Sequence, residues 1–179
     1  MTLTIQQSRA AGQFRALDFD GNGYLERADY EKTAGRILDA FGVAAEAPKG
    51  SNMVEEYVGL FERLRKRADT DGDGRVSEAE FLASVGRSVD RSGGRAMRPV
   101  AHAIFTVADA DADEWITEEE FLRYVRASAM SEAGAAAVLA RIGEAGRVSR
   151  TAFVDLIEGF YGSPDPSAPS AMLFGDGSP

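Results

Sequence analysis

Along most of the chain, apolar residues recur three and four positions apart, the spacing of an amphipathic helix. Leu3, Phe14 and Leu17 lead into a polar stretch at residues 18–29, and Tyr30, Ile37, Leu38 and Phe41 leave it. Val54, Tyr57, Leu60, Phe61 and Leu64 lead into a second at 69–80, followed by Phe81, Leu82, Val85 and Val89. Val100, Ile104 and Phe105 precede a third at 109–120, with Phe121, Leu122 and Val125 after it. The pattern predicts helix–loop–helix units throughout and an all-α protein. Gly42 to Ser51, with Pro48 and Gly50, reads as a connecting loop, and Ser92-Gly93-Gly94 as the mid-chain break. That break is too short to hold two halves far apart, so they are expected to pack closely.

The polar stretches carry the chemistry. Residues 69–80, DTDGDGRVSEAE, match D-x-[DN]-x-[DN]-G-x5-E, a loop that wraps oxygen ligands around a calcium ion. Asp69, Asp71 and Asp73 bring three short carboxylates to one side of a tight turn, and Gly74 takes the positive φ that reverses the chain. Arg75 offers its backbone carbonyl, leaving its side chain free to point to solvent. Ser77 ligates through water, and Glu80 closes the shell with two oxygens.

The motif recurs at residues 18–29, where Asp18, Asp20, Asn22, the Tyr24 carbonyl and Asp29 fill the same places, Asp29 standing where the pattern asks for Glu. Asp29 is one methylene shorter, so it is expected to give one oxygen directly, and the smaller shell favours Mg²⁺ alongside Ca²⁺. A third copy at 109–120 offers Asp109, Asp111, Asp113, the Trp115 carbonyl and Glu120, but puts Glu114 at the glycine position. Glu114 must either adopt positive φ or distort the turn, so this site is expected to be weakened, not abolished. Trp115 would sensitise terbium luminescence there. Each loop also has an apolar residue at position 8 (Leu25, Val76, Ile116) and an aromatic just past position 12 (Tyr30, Phe81, Phe121). Neither position is a ligand, so their agreement points to a shared fold.

A fourth unit lies near the C-terminus. Residues 147–153, RVSRTAF, reproduce positions 7 to 13, with Val148 at position 8 and Phe153 after position 12. Upstream, Gly143 to Gly146 carry no ligand ladder, and Ala152 stands where Glu would close the shell. Position 1 falls on Arg141 if the spacing is kept; if the preceding helix runs through Ile142, the loop has lost two residues. Either way it should bind no calcium. Its expected task is to pair Val148 with Ile116 in a short β contact.

Composition narrows the classes. The formal charge of −9 argues against nucleic acid and anionic membranes. The three loops hold four, five and seven carboxylates, 16 of the 29 in the chain, so the acidity sits at the proposed sites. Cysteine is absent, which removes disulfides, zinc–thiolate sites and thiol catalysis. No apolar run reaches transmembrane length, and Met1 to Gln7 lacks the basic and apolar regions of a signal peptide. A cytoplasmic monomer is expected. Acidic clusters also serve as helix caps or as acid–base pairs, but the spacing of ligands is explained more simply by metal loops. The lone His102 reads as a helix-borne polar residue; no nucleophile elbow or phosphate-cradling glycine loop is present, and no enzyme is expected.

The first loop with its flanks (residues 18–32), Ala40-Phe41-Gly42, Met130 to Ala133 and the terminal Leu173-Phe174-Gly175 resemble the calerythrin-type bacterial relatives of the sarcoplasmic calcium-binding proteins. The resemblance implies four EF-hand units in two closely packed pairs, hands 1 and 2 in residues 1–91 and hands 3 and 4 in 92–162, with a tail at 163–179. In that family the second hand is usually the degenerate one, whereas here loop 2 is intact and loop 4 is broken. The family's terminal segment folds back on the helices, so Ala171 to Gly175 is expected to dock after an extended or disordered Ser163 to Ser170. A calcium buffer or transporter is the favoured function, because the five methionines are scattered and no long tether divides the halves. The alternative is a sensor exposing an apolar surface to a protein target.

Overall fold

The helices begin where the polar loops end, and the same carboxylate decides both. In a computed structural model, residues 5–84, 94–162 and Leu173 are described. Loop 3 closes on Thr117, the N-cap of the helix Glu118–Ala127; its hydroxyl accepts from the Glu120 N–H while Glu120 reaches back to the Thr117 N–H. This reciprocal capping satisfies two backbone donors that a helix start otherwise leaves orphaned. Ser77 and Glu80 repeat the arrangement, and Glu26 with Asp29 repeats its return half.

Four helix–loop–helix units follow: α1 (Ile5–Leu17) with α2 (Arg27–Ala40), α3 (Pro48–Ala68) with α4 (residues 78–84), α5 (Arg98–Ala108) with α6 (Glu118–Ala127), and α7 (Glu132–Ile142) with α8 (Arg150–Gly162). Helix α3 starts inside the stretch expected to be a loop. Pro48 at its first turn has a fixed φ suited to a helix start and no N–H to leave unpaired, so the proline begins the helix. Val85, Val89 and the Ser92-Gly93 part of the break lie outside the described residues; Gly94, at φ 82°, opens the turn into α5.

Two short antiparallel ladders tie the units into pairs. β1 (Tyr24–Leu25) lies beside β2 (Val76–Ser77) with Leu25 opposite Val76. β3 (Trp115–Thr117) lies beside β4 (Arg147–Ser149) with Ile116 opposite Val148, as the sequence predicts. All four position-8 side chains are fully buried. The aromatics past position 12 fill the core: Tyr30 meets Phe61, Phe81 meets Phe14, and Phe153 collects Phe105, Phe121 and Tyr124. The pairs are not separate lobes. Helix α3 packs on both α2 and α5, α2 touches α6, and α5 packs on α8. Leu173 is buried, and its carbonyl accepts from the Ser131 N–H before α7. That residue therefore docks as expected; the rest of the tail lies outside the described residues. No described helix is long and apolar enough to cross a membrane.

Candidate metal sites

In each acidic loop the first carboxylate folds inward and organises the turn. Asp18 accepts from the Asn22 and Gly23 N–H groups at 3.0 Å each, and Asp69 accepts from Gly72 at 2.7 Å and Gly74 at 3.1 Å. Asp109 accepts from Asp113 and Glu114 at 3.2 Å. Position 5 then caps position 7: Asn22 on Tyr24, Asp73 on Arg75, and Asp113 on Trp115, each at 2.8 Å. These bonds fix the ladder with the remaining lone pairs facing one another. Asp18, Asp20 and Asp29 each place an oxygen within 4.8 Å of the others, as do Asp69, Asp71 and Asp73, and Asp109, Asp111 and Asp113. Oxygens that share a calcium at about 2.4 Å can be no more than about 4.8 Å apart, so the three sets fit one hard dication each.

The electrostatics agree with that fit. Burial pushes the carboxyls of Asp29 and Asp109 up from the ordinary range, against their backbone hydrogen bonds, and neighbouring aspartates add to the rise. These two residues are 1% and 5% exposed, set beside aspartates that remain half-buried or exposed. A dication held there supplies the missing positive charge and reverses the sign of these shifts.

Position 12 separates the loops. Glu80 takes hydrogen bonds from the N–H and hydroxyl of Thr70 on one oxygen and of Ser77 on the other, and the backbone donors foremost hold its pKa at about 2. Asp29, although shorter, spans the same two places, the Phe19 N–H at position 2 and the Glu26 N–H at position 9. It alone of the three closing acids joins the compact carboxylate set. Glu120 is hydrogen-bonded at position 9, to Thr117. At position 7, Tyr24 and Trp115 open their strands and Arg75 immediately precedes β2.

The turns differ as well. Loops 1 and 2 place glycines at both positive-φ positions, Gly21 and Gly23, then Gly72 and Gly74. In loop 3 these are Ala112 at φ 59° and Glu114 at φ 67°, so Glu114 adopts the left-handed turn without distorting the loop. Sequence reasoning saw one strained residue here and missed the other. Loop 4 has the shortened form: α7 runs through Ile142, and Ala145-Gly146 make a tight hairpin closed by Glu144 and Arg147.

Arginines were the largest omission. The Arg75 side chain stays exposed, as expected, yet it also ion-pairs with Asp73 at 2.9 Å and lies 4.0 Å from the Tyr24 ring. Across the other ladder, Arg147 pairs with Asp113 at 3.2 Å and lies 5.0 Å from the Trp115 ring. Arg150 grips Glu114. A guanidinium stacks on an aromatic face while its edge remains free for a carboxylate, which suits the open side of a two-strand ladder. The register that sets position 7 against its partner loop was the usable signal. His102 is exposed on α5, as a helix-borne polar residue should be.

Two pairs of helix–loop–helix units, joined at position 8, three of them with carboxylate-rich loops, define an EF-hand protein, and residues 7–85 match the EF-hand domain pair family. The chain belongs to the calerythrin group of EF-hand calcium-binding proteins. It is 36% identical over 140 residues to calerythrin from Saccharopolyspora erythraea, a match covering 76% of this chain and 79% of that one. A calcium-binding protein from Streptomyces coelicolor superposes with a TM-score of 0.78 at 31% identity, covering 89% and 99% of the two chains. The sarcoplasmic calcium-binding protein of amphioxus shares the fold, with a TM-score of 0.72, 19% identity, and coverage of 97% and 98%.

Proposed function

We propose that this protein is a cytoplasmic calcium buffer or carrier, a monomer without enzymatic activity, with cation sites in loops 1, 2 and 3. Residues 1–91 form one pair of hands and 92–162 the other, and the fourth hand is structural. The ligands are Asp18, Asp20, Asn22, Asp29 and the Tyr24 carbonyl; Asp69, Asp71, Asp73, Glu80 and the Arg75 carbonyl; and Asp109, Asp111, Asp113, Glu120 and the Trp115 carbonyl. Site 1 takes Mg²⁺ as well as Ca²⁺, because Asp29 closes a tighter shell than Glu would. Site 3 is the weakest, because two non-glycine residues hold its turn.

One observation carries the choice of buffer: the apolar core is shared across both pairs and closed. Met53 and Met97 are buried in it, and α3 lies against α5. A sensor needs an apolar groove to open, commonly Met-rich. Among the described residues the one exposed large hydrophobic is Phe19, at 47%, flanked by Lys32 and Arg36. The second reading, a regulator with a protein target, is favoured by the likeness to the Streptomyces coelicolor protein, whose structure is described as a basis for calcium-mediated regulation. Hydrophobic-dye fluorescence with and without calcium, at physiological magnesium, separates the two. A flat response is expected; a large calcium-dependent rise would replace the buffer with the regulator.

A further inference from the structure

Loop 3 has a problem that loops 1 and 2 do not: a residue with a Cβ must hold the left-handed turn at position 6. Glu114 sits at φ 67°, where Gly23 and Gly74 stand in the other loops. Its N–H is one of the two donors that orient Asp109, the first carboxylate of the loop. Any relaxation of Glu114 toward an ordinary φ therefore turns Asp109 away from Asp111 and Asp113.

The fourth hand meets this turn directly. Arg150, at position 10 of the ligand-free loop, presents both edges of its guanidinium to Glu114, with Nε to Oε2 at 2.6 Å and Nη2 to Oε1 at 3.0 Å. Its own placement is fixed from the other side: Nη1 donates to the Thr106 hydroxyl at 3.1 Å, and the guanidinium carbon lies 4.4 Å from the centre of the Phe105 ring. Nη2 also lies 3.9 Å from Asp109 Oδ2. A guanidinium anchored to α5, bonded through two parallel N–H groups, constrains direction as well as distance, which a single ammonium cannot do.

We infer that Arg150 is a positioning residue for the loop-3 cation: the degenerate hand has given up its own site and straps its neighbour's strained turn in the calcium-ready form. This rests on the assignment of loop 3 as a cation site. β4 leads directly into Arg150 and so delivers it to the place where Glu114 needs it.

Charge and geometry pull in opposite directions here, which makes the test sharp. Removing a cation beside an acidic loop strengthens calcium binding, whereas losing the strap weakens it. Arg150→Lys keeps the charge and removes the fork. The strap predicts that terbium and calcium affinity at loop 3, read by Trp115-sensitised emission that Asp109→Ala removes, falls about two- to five-fold, the range of an exposed pair. In a Glu114→Gly background, where the turn needs no support, Arg150→Lys has no effect. Unchanged affinity in the Arg150→Lys single variant, or an equal loss in both backgrounds, overturns the inference. Amide exchange at Glu114 and Trp115, measured by NMR in chelator, supplies a readout that needs no metal: Arg150→Lys speeds it if the strap exists, and equal rates refute it. If the parent protein gives no Asp109-dependent emission, the site assignment fails, and the exchange rates still decide whether Arg150 holds the turn.

Discussion

Glu80 offers the most demanding test of how the loops are built, because the carboxylate proposed as a closing ligand also caps a helix. Glu80→Ala removes four hydrogen bonds, two to Thr70 at 2.8 Å and two to Ser77 at 2.9 and 3.0 Å. A carboxyl pKa lowered from 4.5 to about 2 corresponds, without screening, to about 3 kcal/mol of stabilisation at neutral pH. The group faces solvent, which screens it, so about 1–2 kcal/mol is the working figure, in line with the loss of a strong N-terminal cap. The sign is set by the direction of the shift. A depressed carboxylate stabilises the fold above its unfolded value of 4.5, and that contribution is lost as pH falls toward 2. Urea unfolding in chelator, followed by far-ultraviolet circular dichroism, should show Glu80→Ala less stable than the parent by about 1–2 kcal/mol at pH 7. At pH 3 less than about half of that difference should remain. Calcium affinity at loop 2 should fall at least about tenfold, or about 1.4 kcal/mol, if Glu80 is the closing ligand proposed. Equal stability of variant and parent at pH 7 in chelator would refute the reasoning, since the four bonds would then be absent without metal.

Three further outcomes are expected. Isothermal titration in millimolar magnesium should weaken calcium binding at site 1 of the parent, and Asp29→Glu should abolish that competition; indifference of the parent would remove the mixed site. Val148→Asp puts a charge opposite Ile116 in the fully buried central pair of the ladder, and should cost about 3 kcal/mol or more and lower Tm while reducing Trp115-sensitised terbium emission. Leu173→Ala, or truncation after Tyr161, removes a buried leucine and should cost about 2–3 kcal/mol, read as a lower Tm and a gain in dye binding.

The two readable periods of the sequence account for what it revealed. A helical spacing of apolar residues and a ligand ladder at fixed offsets are local, so α1 to α8 and the acidic loops are visible in one dimension. Position 8 was also legible, because Leu25, Val76, Ile116 and Val148 keep the same offset in four units, and the observed registers pair them. The first turn of helix α3 escaped because Pro48 and Gly50 resemble loop punctuation. Yet Pro48 fits a helix start, and Gly50 packs where a Cβ would collide with the Ala44 carbonyl. Ala112 escaped for a related reason: nothing about alanine marks a left-handed position, and the motif specifies no residue at position 4.

The arginines mark the deeper limit, and they also explain the asymmetry of the two pairs. Arg75 and Arg147 hold equivalent places in their ladders, each over the aromatic at position 7 of the partner loop, but Arg75 reaches a carboxylate of its own loop and Arg147 one of its neighbour's. In the first pair both loops carry a carboxylate cluster, and the ion pair is confined to loop 2. In the second pair loop 4 has none, and its cations, Arg147 and Arg150, lie on Asp113 and Glu114 of loop 3. A string of carboxylates as dense as residues 109–120 repels itself in the absence of a dication. Two guanidiniums anchored across the ladder relieve that repulsion, and in doing so raise the threshold a dication must pass. The ligand-free loop 4 thus supplies two cations to the acid-rich loop 3, a pairing that only the fold brings together.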